Sequence, residues 1–157
     1  MTLLDKQVES LQAQFQKAGE RVVALTKFSR KNSGEVILSY FEELGELCQE
    51  IKIHTGVAGT QHKKPGPDGI YGECADVWIC AVSYCSLKQQ EVNVNLAVGM
   101  IDEKEFTDFA ENHVLNTAQM QEYVMALALK FDPDPICFLN KINAKVDKWC
   151  KNVNFMV

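Results

Sequence analysis

Four acids in two short pairs are the residues of this chain best suited to chemistry. Glu43 and Glu46 lie within FEELGEL, residues 41–47, and Glu73 and Asp76 within ECADVW, residues 73–78. Each pair is spaced i, i+3, which on an α-helix sets both side chains on one side about a turn apart. Two such helices side by side would bring four carboxylates together. Oxygen donors in that number suit a hard divalent cation, and Mg²⁺ in particular is held by a few carboxylates, waters and substrate phosphates. A phosphate-bearing substrate is the natural partner for such a site.

The second pair carries more meaning because of its surroundings. From Ile70 to Leu87 the only charged residues are Glu73 and Asp76. The apolar positions of that stretch go all the way round a 3.6-residue wheel, which predicts a buried helix. An unpartnered carboxylate there costs several kcal/mol at the least, so the fold must supply a cation or the group must become neutral. Lysines from neighbouring helices are the commonest solution for one pair; the presence of two pairs favours a metal. On the wheel of the first helix Glu43 borders the apolar face beside Leu47, and Glu46 lies further towards the polar side. Both reach a cleft between helices rather than the centre of a core. Glu50, one turn beyond Glu46, ranks behind them as a ligand, and Glu42 reads as a solvated surface acid.

The elements that must position these acids are legible as periodic segments. Leu4, Val8, Leu11, Phe15, Ala18, Val22 and Leu25 step by four and three, predicting a long helix over about 3–29 with a heptad seam. Asn32 followed by Glu35 resembles a capping pair. Val36, Ile37, Tyr40, Phe41, Leu44, Leu47, Cys48 and Ile51 then form the apolar face of a second helix that fades near His54 and Gly56. Residues 56–69, GVAGTQHKKPGPDG, are the clearest loop and join the two acid-bearing helices. Its Lys63 and Lys64 are within reach of phosphate oxygens bound near one end of the site, although loop lysines more often face solvent. EVNVNLAVG, 91–99, alternates as a short extended connection would. Asp102 with Glu105 offers another cap, and Phe106, Ala110, His113, Thr117, Met120, Val124, Leu127 and Phe131 predict one long fourth helix. His113 on that stripe reads as a packed core group. Asp134 before Pro135 reads as an N-cap followed by the first helical position. Ile136, Leu139, Ile142, Val146, Trp149 and Val153 give the last helix its apolar face, with Lys141, Lys145 and Lys148 as a basic stripe. The sum is all-α: a bundle of about five helices in a single domain over 1–157, with the metal site between helices 2 and 3.

Composition sets the outer limits. With 157 residues, 46% of them hydrophobic, the chain can bury a substantial core. A formal charge of −5 with dispersed acids argues against a nucleic-acid polymer as partner but not against a metal-bound mononucleotide. The amino terminus is charged by its fifth residue, unlike a signal peptide, and no run approaches the ~18 apolar residues of a membrane span. A cytoplasmic protein without membrane partners is the expectation. The six cysteines form no CxxC pair and read as reduced, mostly buried residues. Neither a Walker sequence nor GxGxxG is present.

FEELGELCQEI followed by ECADVWI resembles the all-α nucleoside triphosphate pyrophosphohydrolases, the superfamily of the MazG proteins and dimeric dUTPases. Their pattern is ExxE on one helix and ExxD on the next, which Glu43, Glu46, Glu73 and Asp76 match. Lys141 matches a lysine of the family's last helix and Lys148 a later basic position, whereas Lys145 stands where an asparagine is usual. The segment 92–130 is longer than in a minimal MazG module. The resemblance covers 30–90 well and 132–150 loosely. It implies hydrolysis of the α–β phosphoanhydride of NTPs or dNTPs to a monophosphate and pyrophosphate. Mg²⁺, or Mn²⁺, would be held by the four acids, and one of these, Glu46 for choice, would activate water. Lys63, Lys64 and Lys141 would contact the phosphates, and Trp78 or Tyr84 would stack on the base. A homodimer or homotetramer would form, for which the first helix offers a seam.

Two other readings compete. A di-iron carboxylate bundle needs ExxH pairs, and none of His54, His62 and His113 stands three residues after a glutamate. A catalytically inactive binding or assembly module on the same scaffold also fits the heptad seams and ranks behind the enzyme.

Overall fold

In the computed structural model, which describes residues 2–90 and 99–155, the ordered segments are all helical. They are α1 (Leu3–Phe28), α2 (Ser33–Thr55), α3 (Gly69–Leu87), α4 (Glu103–His113), α5 (Thr117–Phe131) and α6 (Pro135–Asn152). Helix starts follow local chemistry. Asn32 and Glu35 form a reciprocal capping box at α2. Asp102 accepts from the Glu105 amide at α4, and Asp134 from the Ile136 amide with Pro135 just inside α6. Each such bond satisfies an amide that the helix itself leaves unpaired.

The apolar-all-round sequence of α3 makes it the central helix. It packs chiefly on α2 and α5 and also touches α1 and α6. Cys74, Ala75, Val77, Ala81, Val82 and Cys85 have no measurable exposure, and Trp78 is 1% exposed. The core continues into Phe15, Val22 and Leu25 of α1, Tyr40 and Leu47 of α2, Met120 and Leu127 of α5, and Phe138 and Ile142 of α6. A buried Thr26–Ser83 hydroxyl pair, 2.7 Å apart, joins α1 to α3, and Arg21 joins α1 to Asn143 and Asp147 of α6.

Four expectations need correction. The described residues hold six helices rather than five, because the long fourth helix breaks at Val114–Asn116. Asn116 uses its side chain to accept from the Gln119 amide and starts α5 afresh. The break turns Thr117 inward against Cys85 and leaves His113 exposed, stacked on Phe109 instead of packed in the core. The apolar face of α2 is also narrower than its sequence suggests, since Phe41 and Cys48 are exposed. At the last helix, Ile136 is 50% exposed and Phe138 takes the core position. The alternating 91–98 segment lies outside the described residues. Among the described residues, no helix is long and apolar enough to cross a membrane.

Candidate functional site

The acids of α2 and α3 meet where these helices pack. Glu43, Glu73 and Asp76 each offer a carboxylate oxygen, and those oxygens lie within 4.8 Å of one another. That span matches the coordination sphere of one hard cation, about 4–5 Å across, or twice a metal–oxygen bond. Glu43 Oε2 and Glu73 Oε2 are sealed from solvent and have no hydrogen-bond partner among the described residues. A buried carboxylate oxygen without a donor is costly, and an all-oxygen set with two such atoms fits a divalent cation such as Mg²⁺ or Mn²⁺. Glu46 is exposed at the rim, near enough for its charge to act on Glu43 and Glu73.

Crowding shows in the titration of these groups. Burial first, then the charges of Asp76, Glu46 and Glu73, pushes Glu43 up to about 8. Burial, with Asp76 and Glu46, pushes Glu73 up to about 7. Burial also raises Asp76, against the opposing pull of the Lys145 ammonium. The cation needed by the half-buried α3 acids is therefore supplied only in part by the protein. Lys145 of α6 donates to Asp76 at 3.0 Å and to Asp68 at 2.9 Å. Among the described residues it is the only basic side chain paired with any of the four acids.

Asp68 is a member of this cluster that the sequence hides. It occupies the N-cap position of α3, yet its side chain makes no cap bond. Instead it binds Lys145 and, at 3.5 Å, Lys141, and the Lys145 bond holds its carboxyl below the ordinary range. Two glycines make that placement feasible. Gly69 adopts a left-handed φ of 59° as the chain enters α3. A side chain on Gly72 would put its Cβ 2.4 Å from the Asp68 Cβ. Glu50, ranked behind the other acids, is buried and turned elsewhere: it accepts from the Gly66 amide at 2.7 Å and pins the 56–68 loop to α2.

Beside the acids opens a pocket of about 260 Å³. Glu43, Asp76 and Lys145 form one side; Val36, Ser39, Ile79, Cys80 and Trp149 line the rest. The Lys31 ammonium stands 5.1 Å from the centre of the Trp149 ring, at cation–π distance. Burial pushes the Cys80 thiol up to about 12, so it is a neutral part of the wall rather than a thiolate ligand.

Several residues read from sequence do not reach this pocket. Trp78 is fully buried with its ring edge-on to Phe15, 6.5 Å between centroids, and has no face free for a base. Tyr84 lies two turns beyond Asp76 on α3, partly covered, with the Lys88 ammonium over its ring. Lys63 and Lys64 are exposed on the loop and do not line the pocket. Lys141 is present at the cluster through Asp68, while Lys148 faces solvent. The aromatic that does border the site, Trp149, reads in sequence as part of an apolar helix face; Lys31 carries no signal beyond its place before a cap. No family model matches the chain, and no curated protein or solved structure matches it either.

Proposed function

We propose that this chain is a Mg²⁺-dependent nucleoside triphosphate pyrophosphohydrolase of the MazG-like kind, cleaving NTP or dNTP to the nucleoside monophosphate and pyrophosphate. The observation that carries this reading is the convergence of Glu43, Glu73 and Asp76 with two sealed, unpartnered oxygens beside an open pocket. A bound divalent ion supplies charge neutralisation and polarisation of phosphorus. Glu43, Glu73 and Asp76 are its ligands. Glu46, exposed next to them, orients the attacking water and takes its proton. Lys145 brings positive charge to the phosphate side of the pocket. Trp149, Val36 and Ile79 form an apolar wall for the nucleoside, with Ser39 as a hydrogen-bonding group. The base-stacking role thus passes from Trp78 and Tyr84 to Trp149.

Assembly belongs to the same reading. The amino-terminal half of α1 leaves its seam bare, with Leu4 67% and Val8 48% exposed, which supports a homodimer or homotetramer built on that stripe. Activity is tested by pyrophosphate release from a panel of NTPs and dNTPs with Mg²⁺. Release that disappears in Glu46→Gln and Asp76→Asn, with helical content unchanged, supports the enzyme. No release from any nucleotide contradicts it.

A further inference from the structure

Two-metal phosphoryl-transfer sites set their ions about 3.5–4 Å apart and hold them with carboxylates that give one oxygen to each. Asp76 is the acid of this cluster best placed to bridge in that way, since it lies on the central helix between the Glu43 side and α6. One of its oxygens is already taken. Asp76 Oδ2 accepts from Lys145 at 3.0 Å, leaving Oδ1 alone for a metal.

Lys145 is not a loose surface side chain that drifts onto an acid. It is 17% exposed and anchored on its far side by Asp68 at 2.9 Å. Asp68 in turn is seated against Gly72 and shared with Lys141. Moving Lys145 away would break two charge-assisted bonds at once. The sealed carboxylate oxygens without a partner among the described residues belong to Glu43 and Glu73, two acids that Lys145 does not pair with.

We propose that Lys145 is a resident cation standing in for a second metal: it occupies one oxygen of Asp76 and limits the site to one divalent ion per chain. The inference rests on the metal reading of the acid cluster given above. Lys145 also lines the pocket together with Glu43, so the charge it would contribute to bound phosphates is present without any metal. The cost of holding a partly buried lysine is offset by its two carboxylate partners, Asp68 and Asp76.

Mn²⁺ binding to the nucleotide-free protein, followed by electron paramagnetic resonance and calorimetry at about pH 8, tests this without relying on activity. The expected stoichiometry is one ion per chain for the unaltered protein and for Lys145→Arg, and two for Lys145→Met. Two ions on the unaltered protein would overturn the inference whether or not the variants fold, and so would a single ion on a folded Lys145→Met. Either result leaves the metal reading intact. Absence of any bound Mn²⁺ on the unaltered protein overturns the metal reading itself, and with it this inference.

Discussion

Glu43 and Glu73 hold protons at pH values where an ordinary glutamate has none, because burial and the neighbouring carboxylates oppose their charge. Raised carboxyl values mean that the native state binds more protons than the unfolded chain, so this contribution to stability falls as pH rises. The loss begins above the ordinary value of 4.5 and is complete once pH passes the folded values of about 7 and about 8. Asp68 and Glu103, whose values are lowered, act in the opposite sense at acid pH, outside this window. The metal-free protein is therefore predicted to melt at a lower temperature at about pH 8.5 than at about pH 6. Glu73→Gln should flatten that slope, and Mg²⁺ should restore stability at the higher pH in the unaltered protein only. Thermal melts across pH, with and without Mg²⁺, check all three. At this scale the sequence disclosed the acids, because two i, i+3 pairs on helical segments are a local signal. It did not disclose Lys145 and Asp68 as partners, which are 77 positions apart and meet only through the packing of α6 on α3. In sequence Asp68 is one more polar residue of the 56–69 loop, and only the fold shows its side chain spent on lysines.

Helices that begin at a strong cap were legible to within a residue or two, since capping is settled by neighbours three positions apart. Asn32 with Glu35, Asp102 with Glu105 and Asp134 with Pro135 all act as read. The break between α4 and α5 was not legible. Its stripe from Phe106 through His113 to Leu127 keeps helical spacing across the break, and Asn116 passes for a polar position inside one helix. Trp78 failed for a related reason: a helix that is apolar on every side has no face left to offer a ligand. The junction of the loop with α3 makes the sharpest prediction at this level. Gly72→Ala forces its Cβ into Asp68, and overpacking of this kind costs about 1–3 kcal/mol. Urea denaturation should show that loss. The displaced Asp68 should also loosen Lys145 and alter Mn²⁺ binding, whereas Gly45→Ala, where a Cβ meets nothing within 4 Å, should leave Mn²⁺ binding unchanged and, inside α2, raise stability by about 0.5–1 kcal/mol.

For the molecule as a whole, α1 is about 39 Å long at 1.5 Å per residue, and its buried residues begin only at Phe15. The heptad seam was legible along its length, but its partner was not: the carboxyl half packs within the chain, and the amino half is left bare. Replacing Leu4 and Val8 together by Glu should reduce the assembled mass to that of one chain in light scattering, with helical content retained. An unchanged mass would place the interface elsewhere or show that the chain is a monomer to begin with. The central claim concerns the bond that is broken. ³¹P magnetic resonance of a pooled set of NTPs and dNTPs, incubated with the protein and Mg²⁺, reads that bond directly. The account predicts that monophosphate and pyrophosphate signals grow together and that neither appears with Glu73→Gln. An unchanged spectrum, or orthophosphate appearing with nucleoside diphosphate, would contradict it.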